Sequence, residues 1–563
     1  MQSIRKKIKK ATATRKGKII ALSILLVIMI AIGGAVFYWN IYRKQIIRTT
    51  LQDSVLDKTD GLYALRYDSL LLDEVEGNLS VANLTLKFDS AKYIALLEKN
   101  DAPPTLLKIN IPSIIVTGVK TPRALLDKEI VGKKLLIINP VIDIVYTNAG
   151  KDSARNIPTK EVYDQILGNL NLIKIDTVEI SGAQITTSNI KTGKKNIQIS
   201  NTSIRLIDVA IDENTGTNPD QLNFAKQLFF DCEKFSWLSE NKLYNYSVDS
   251  ISVNSVSKDI IVKRFSMDPT LNEDAFVKSL PTQDDRFDLF INNIRIRNAH
   301  IPQLFNENIV ADSILAGSAS FKIYRDLSIV RDKKNRVGTY PHQSIDKMPI
   351  SILVKKLMLS NTFVEYKEKS KITSQSGKVQ FYKTSVVITN LTNNKDAVKA
   401  NNVMTADIST QFLNKAPLKV IWLFYLQHPK GRFDMKGNMG SIAAAEVNPI
   451  TVPMGPAKLD EGRINSLHFN FEGNNYGMDG TVKMLYEDLK LTILEKEEGT
   501  KKLDKKTLAS FAANLIIKND NPKGNDDPRI ATVHFDRDTN RSIFHLVWKS
   551  LFKGIKETVG IKK

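Results

Sequence analysis

The sequence predicts a mainly β protein, in which one N-terminal transmembrane helix precedes a long, coiled, bulged antiparallel β-sheet array with short helices and a C-terminal amphipathic helix. Three observations lead to this fold class. The segment from Ile19 to Trp39 contains no charged residue. Most of the chain that follows alternates apolar and polar residues with a period of two, which is typical of half-buried strands. The segment 541–563 carries apolar residues at helical spacing.

The uncharged segment 19–39 is long enough to cross a bilayer as a helix, and it ends in aromatic residues that suit the membrane interface. Eight basic residues precede it and three follow it before position 49, so the positive-inside rule predicts a cytoplasmic N-terminus. A cleaved signal peptide is the alternative, but the apolar run exceeds a typical signal core. We therefore expect a single-pass membrane anchor, with the bulk of the chain on the extracytoplasmic side.

A short strand phrase recurs along the chain, and in each copy the alternation slips by one residue at an Asn or Gly. The slips fall at Asn83, Gly118, Gly182, Asn254, Asn298 and Asn361. A slip would turn every later side chain to the other face, so a β-bulge is expected at each position to keep the apolar residues on one side. Bulges bend and twist strands, which predicts a strongly coiled sheet with an apolar concave face. This face can be an open groove or a closed core filled by side chains. The residues predicted to line it are Phe321, Ile323, Leu357, Leu359, Phe469 and Phe471.

The pattern divides the chain into five predicted parts. These are a basic cytoplasmic tail (1–18), the transmembrane helix (19–39), the N-terminal half of the β-repeat region (40–285), its C-terminal half (286–500), and a C-terminal helical or capping segment (501–563). Helix-like stretches are predicted between the strands, at Ala91–Glu98, Pro122–Val131, Lys160–Leu170 and Gln221–Leu238.

Two helices are predicted in the last segment. One follows an apolar stripe over 503–516, and the other carries a stripe of Phe544, Val547, Trp548, Leu551 and Ile555. The last helix can cover the edge of the sheet, or it can lie on an anionic membrane surface, because basic residues surround the stripe. Covering the edge is the favoured role, since an uncovered strand invites aggregation.

Charge and motifs exclude several function classes. The formal charge of +20 is concentrated in 1–48 and 541–563, beside apolar helices, which favours membrane-surface contact over a nucleic-acid groove. A single cysteine, Cys232, excludes an intrachain disulfide framework. The sequence contains no HExxH, GxSxG or P-loop motif. We therefore predict a protein that is not an enzyme, with no catalytic residue, no metal and no cofactor.

The order of several weak motifs resembles the AsmA-like family of Gram-negative envelope proteins, in a form similar to those of the Bacteroidetes. They are the repeated bulged strands, MKGNMG at 435–440, VNP at 447–449, GRI at 462–464, the strand region 480–491 and WKSLFKGI at 548–555. The resemblance implies an inner-membrane anchor and a periplasmic curved sheet related to bridge-like lipid-transfer proteins. It also implies phospholipid acyl chains as partners, an envelope protein as a further partner, and a link to outer-membrane assembly. It supplies no catalytic residue.

Three functions compete at this point. The first is a membrane-tethered protein that handles or transfers phospholipids through an apolar β-groove. The second is an envelope scaffold or outer-membrane assembly factor whose β core is filled by side chains. The third, least favoured, is a membrane-anchored enzyme. A continuous apolar groove would favour the first, a filled core the second, and a polar cleft with converging His and carboxylate side chains the third.

Overall fold

The computed structural model describes residues 52–120, 128–146, 170–215, 222–496, 503–505 and 518–561, apart from single positions within these ranges. The predicted cytoplasmic tail (1–18) and transmembrane helix (19–39) lie outside the described residues. Among the residues that are described, no helix is long and apolar enough to cross a membrane.

The described chain is dominated by strands rich in Ile, Val and Phe, residues that pack well on a pleated surface. The strands are β1 (Tyr63–Arg66), β2 (Ser69–Asp73), β3 (Asn78–Phe88), β4 (Thr105–Thr117), β5 (Glu129–Ile138), β6 (Val141–Tyr146), β7 (Leu172–Asn189), β8 (Lys195–Ile211), β9 (Gln227–Leu238), β10 (Tyr244–Asn254), β11 (Asp259–Pro269), β12 (Arg286–Arg297), β13 (Asn308–Ala316), β14 (Ser318–Asp326), β15 (Ser351–Lys369), β16 (Ser376–Thr392), β17 (Val403–Phe412), β18 (Ala416–Tyr425), β19 (Phe433–Met439), β20 (Ile442–Ala443), β21 (Ala457–Gly473), β22 (Gly477–Lys496), β23 (Leu503–Lys505) and β24 (Ala531–Asp536).

Most helices are short and lie between strands, and the longest follows the last strand. They are α1 (Ser90–Glu98), α2 (Glu273–Lys278), α3 (Ile301–Phe305), α4 (Pro341–Asp346), α5 (Lys395–Ala400), α6 (Asn448–Met454) and α7 (Ile543–Thr558), with a 3-10 turn at Ala444–Val447. Their starts follow ordinary capping rules: the side chains of Asp89, Asn272, Asn394 and Ser542 accept hydrogen bonds from the first-turn N–H groups.

Sequence neighbours are also neighbours in the sheet almost throughout. Strands β1 and β2 lie end to end along β3, β5 and β6 lie end to end between β4 and β7, and β13 and β14 do the same between β12 and β15. Only the pairs of β5 and β6 with β7, and of β13 and β14 with β15, are parallel among the described strands. With about 4.8 Å between neighbouring strands, the distance along the sheet from the first strand to the last, perpendicular to the strands, is roughly 85 Å. The predicted mainly β fold with one large, largely antiparallel sheet is confirmed.

A line of phase slips crosses the sheet from β3 to β16, and we call it the bulge seam. Most strands along it contain one residue with a positive φ at the same level. These residues are Asn83 in β3, Asn139 between β5 and β6, Gly182 in β7, Asn201 in β8, Ser250 in β10, Asn293 in β12, Asn361 in β15 and Lys383 in β16. The slip preserves the apolar face: Ile180, Ala183 and Ile185 flank Gly182 and are buried in one cluster.

The predicted bulges at Asn83, Gly182 and Asn361 are therefore confirmed, whereas three others need correction. Gly118 has a positive φ, but it follows the last residue of β4. Asn298 also has a positive φ, but it follows the last residue of β12 and leads into α3, and the bulge in this strand is Asn293. In β10 the positive φ belongs to Ser250, not to Asn254. The sequence did not predict the bulge at Ser250, because serine adopts a left-handed backbone less often than Gly, Asn or Asp.

Replacing Asn361 tests whether the seam stores backbone strain. The side chain of Asn361 is exposed and its φ is 48°, so Asn361→Val should destabilise the chain by about 1–2 kcal/mol through the left-handed backbone alone. Asn361→Gly should be neutral or stabilising. Lys356→Val, at an exposed and regularly paired position of the same strand, is the control. Thermal unfolding measures all three, and equal midpoints for Asn361→Val and Asn361→Gly would contradict the prediction.

Of the predicted helices, Ala91–Glu98 is confirmed within α1, and the predicted stretch Gln221–Leu238 is wrong. The latter contains β9, which pairs with β8 and β10. Leu228, Cys232 and Phe235 are spaced like one face of a helix, but the step of three from Cys232 to Phe235 is the phase slip of the seam. Positions 122–127 and 160–169 lie outside the described residues, while Glu129 to Val131 belong to β5.

The predicted helix over 503–516 falls mostly outside the described residues, and its first three positions form strand β23. The predicted last helix is present as α7. The boundary predicted between 285 and 286 lies between β11 and β12, which pair with each other.

One row of directly paired residues crosses the whole sheet on one face, which we call the inner face. Its members, in sheet order, are Leu70, Val81, Ile114, Ile137, Ile180, Ile204, Phe230, Val253, Ile260, Ile296, Ile314, Leu357, Ile388, Ala406, Trp422, Met435, Phe471, Gly480 and Val533. Every member except Gly480 is apolar. A face of this kind must be covered by protein, by another apolar molecule, or by water at a free-energy cost.

Protein covers the inner face at both ends of the sheet. The N-terminal core joins apolar residues from both sides of the seam, such as Ile114 and Ile137 with Ile109 and Ile142, and these side chains are buried. The C-terminal core joins β17–β24 to Tyr340, just before α4, and to Leu546 of α7. Between these two cores lies what we call the middle section, strands β9–β16.

Candidate functional site: the apolar inner face of the middle section

The middle section continues the apolar row without the cover that protects it elsewhere. From Phe230 to Ile388 every member of the row is apolar, and only Ile260, which is 9% exposed, is buried. The other six members are partly exposed, whereas Ile114, Ile137 and Phe471, at the two ends of the row, are at most 1% exposed. The same row therefore changes from core to accessible surface along the sheet.

Three further rows widen this surface on strands β10–β12. They are Ile251–Val262–Ile294, Val248–Phe265–Ile291 and Tyr246–Met267–Leu289. The last of these continues through Phe321, Val364, Phe381 and Phe412. On the opposite face the alternating positions are largely polar, for example Asp249, Arg264, Asn292 and Arg295. The inner face of the middle section is thus a broad apolar surface on a sheet whose other face is hydrated.

A short helix borders each rim of this surface. At one rim, Phe276 of α2 packs on Tyr244 and Met267. At the other rim, Ala299 and Ile301 pack on Ile260 at the end of the main row. Both helices have six residues or fewer, too short to span the section between them. The helices thus narrow the surface without closing it.

The rim beside α3 contains a cavity of about 900 Å³. Part of its wall is apolar, including Leu222, Ala225, Ala299, Ile301 and Val310. The rest is charged or polar, with the side chains of Lys226, Lys258, Lys355, Asp312, Asn298 and His300. Because Ala299 and Ile301 also pack on the main row, the cavity adjoins the apolar surface directly.

The electrostatics of the cavity favour anions. Lys355 Nζ lies 2.7 Å from Asp312 Oδ1, and Asn298 donates a hydrogen bond of 2.7 Å to the same carboxylate. Hydrogen bonds from Lys355 and Asn298 lower the pKa of Asp312, so it is ionised at neutral pH. Lys226 pairs with Asp208 at 3.1 Å. Lys258, in the turn between β10 and β11, has no acidic partner among the described residues.

At the rim near α2 the apolar rows end in a half-buried polar cluster. Arg325 donates two hydrogen bonds of 2.7 Å to the carboxylate of Asp285. Tyr366 donates to Glu368 at 2.5 Å, and burial is the main cause of its raised pKa. These groups satisfy one another in a low-dielectric setting, so the cluster serves as a structural boundary of the apolar surface.

The six predicted groove residues all lie on the inner face, but they fall in two environments. Leu357 and Phe471 belong to the main row, Leu359 and Phe469 to the row beside it, and Phe321 and Ile323 lie beyond the seam. The four residues of the middle section are partly exposed, whereas Phe469 and Phe471 are buried within the C-terminal core. Phe469 and Phe471 therefore belong to a filled part of the sheet.

The stripe predicted on the last helix is the less buried side of α7. The residues of α7 that pack on β22 and β24 include Ile543, Leu546, Ser550 and Gly554. On the predicted stripe, Phe544 and Trp548 are exposed, while Val547, Leu551 and Ile555 are half-buried against the C-terminal core. Phe544 contacts Trp422 of the main row, with ring centroids 6.4 Å apart. The helix thus covers the end of the inner face and places an aromatic ring against Trp422.

Sequence reasoning did not find the rim cavity, because its three lysines are far apart in sequence and meet only through the order of the strands. Among the described residues, no three His, Cys, Asp or Glu side chains come together as a metal site. A comparison with family models gave no match for the chain, and a comparison with curated proteins gave no significant similarity.

Proposed function

We propose that this protein is an AsmA-like, inner-membrane-anchored periplasmic protein that handles or transfers phospholipids, whose acyl chains lie on the inner face of the middle section. The observation that carries the proposal is the apolar row that stays partly exposed from Phe230 to Ile388. A contiguous exposed apolar surface of this width is costly in water and marks a binding site more often than an accident of folding.

The shape of the surface supports acyl chains over a protein partner. Apolar side chains form parallel rows along the direction in which the strands stack, with few polar groups between them. A protein partner would need hydrogen-bond complements at an interface core, whereas a hydrocarbon chain needs only apolar contact. The basic cavity beside the main row supplies charge complementarity for the head of an anionic amphiphile.

The segment 19–39 supports the membrane part of the proposal through its sequence alone. A path of roughly 85 Å along the curved sheet is short for a conduit between two membranes. A single copy is therefore better suited to shuttling lipids, or to forming part of a bridge that a partner completes, than to spanning an envelope.

A second candidate is an envelope scaffold that binds no lipid. The observation in its favour is that both ends of the sheet are filled by side chains, in the N-terminal and C-terminal cores. On this view the middle section would be covered by another protein or by parts of the chain outside the described residues.

A neighbouring pair of substitutions in β15 separates the two candidates. Leu357 lies on the inner face and Met358 on the other, and both are partly accessible. Leu357→Asp should weaken binding of a fluorescent phospholipid to the full-length chain at least about tenfold, because a carboxylate opposes apolar contact. Met358→Asp should bind like wild type. Absence of phospholipid binding and of co-purifying lipid in the wild-type protein would favour the scaffold.

A further inference from the structure

We infer that the cavity beside α3 binds the phosphate-bearing headgroup of an anionic phospholipid, so that lipids lie across the middle section in one orientation. The inference rests on the proposed function and adds the headgroup class and the direction of the acyl chains. Two observations support it: the cavity contains three lysines, Lys226, Lys258 and Lys355, and its apolar wall joins the cavity to the main row.

The composition of the cavity matches an amphiphile better than a free anion. Its lining contains three lysines and one aspartate, and Asp312 and Asp208 pair with Lys355 and Lys226. One positive charge, that of Lys258, is left for a phosphate to balance. Half of the wall is apolar, a poor surface for a hydrated inorganic ion but a good one for the glycerol backbone and the first methylenes of an acyl chain. The volume of about 900 Å³ is sufficient for a headgroup with this region.

Lys258 is the cation of the cavity with unused hydrogen-bonding capacity. It has no acidic partner among the described residues, in contrast to Lys226 and Lys355. A phosphate beside Lys258 would accept hydrogen bonds that the protein itself leaves unmade.

The opposite rim favours the same orientation. The first turn of α2, beside the apolar surface there, carries Glu273 and Asp274. Lys367 at that rim is paired with Glu273 at 2.7 Å, and Arg325 is paired with Asp285 at 2.7 Å. Because carboxylates already neutralise both cations, these cations attract an anionic head less than the unpaired Lys258 does. The headgroup is therefore expected beside α3, with the acyl chains directed across the inner face towards α2.

The test compares two fluorescent lipids with identical acyl chains, phosphatidylglycerol and diacylglycerol, titrated with the full-length chain. The triple variant Lys226→Gln, Lys258→Gln, Lys355→Gln should bind phosphatidylglycerol about tenfold more weakly than wild type. Its affinity for diacylglycerol should be unchanged, since that lipid lacks the phosphate. Glycerol phosphate, which lacks acyl chains, should compete only weakly.

A matched control removes the same charge from the other face. Lys322, Lys356 and Lys419 are exposed and alternate with inner-face residues, so the variant Lys322→Gln, Lys356→Gln, Lys419→Gln should retain phosphatidylglycerol binding. Equal losses in the two variants, unchanged binding in the first variant, or strong competition by glycerol phosphate would overturn the headgroup site. Binding of neither lipid by wild type would overturn the proposed function as well, which separates the two failures.

Discussion

Phe469→Asp is expected to unfold the C-terminal part of the sheet. Phe469 is only 8% exposed, its ring fills the space above Gly437 on the neighbouring strand, and it packs on Phe471 with centroids 5.9 Å apart. Removing such a ring costs about 3–5 kcal/mol, and the new carboxylate has no partner in the core, which adds to the loss. Thermal unfolding and limited proteolysis of the full-length chain measure the effect.

An aspartate at position 357, on the same face of the sheet, is expected to have a much smaller effect on stability than Phe469→Asp. Leu357 lies on the same face as Phe469. It belongs to the main row, which contains Phe471 and runs beside the row of Phe469. Unlike Phe469, Leu357 remains partly exposed to water. Leu357→Asp should therefore cost only about 1–2 kcal/mol, while it weakens lipid binding. Similar stabilities for Leu357→Asp and Phe469→Asp would mean that the inner face is filled throughout, and the lipid proposal would lose its main support.

Alternation with a one-residue slip was sufficient to predict which face each groove residue occupies. The period of two fixes the face of every residue in a strand, and the slips at Gly182 and Asn361 keep that assignment across the bulge. Exposure could not be predicted in the same way. Phe471 and Leu357 have the same local pattern. What distinguishes them is that Phe471 belongs to the C-terminal core, which includes residues distant in sequence such as Tyr340 and Leu546.

The rim cavity lies outside sequence reasoning for a related reason. Lys226 directly precedes β9, Lys258 lies in the turn between β10 and β11, and Lys355 lies within β15. No local spacing in the sequence connects them. They meet because β13 pairs with β15 in parallel, a crossover that brings Lys355 to the same rim as the turn after β10. Parallel pairing needs a long connection, and the connection here, between β14 and β15, shows no regular pattern from which its course could be predicted.

The role of α7 follows from which of its residues face the sheet. The packed side includes two small residues, Ser550 and Gly554, and a Cβ at Gly554 would lie 2.6 Å from Val482 Cβ and 2.9 Å from Val533 Cγ2. The small residues thus let the helix approach β22 and β24 closely. A helix that served a membrane surface would have no need of such a fit, so the packing favours a cap over the end of the inner face.

Gly554→Leu should therefore displace α7 from the sheet. Overpacking costs about 1–3 kcal/mol, and the Cβ of Val482 sits next to its backbone and cannot turn aside. The cost should appear as a lower unfolding midpoint and faster proteolysis near 541, although leucine has the higher helix propensity by about 1 kcal/mol. Lys549→Leu adds the same side chain at an exposed position and should leave the midpoint unchanged. If α7 is instead an interfacial helix, Gly554→Leu will not be destabilising, and removing 541–563 will abolish binding to anionic vesicles while the midpoint stays the same.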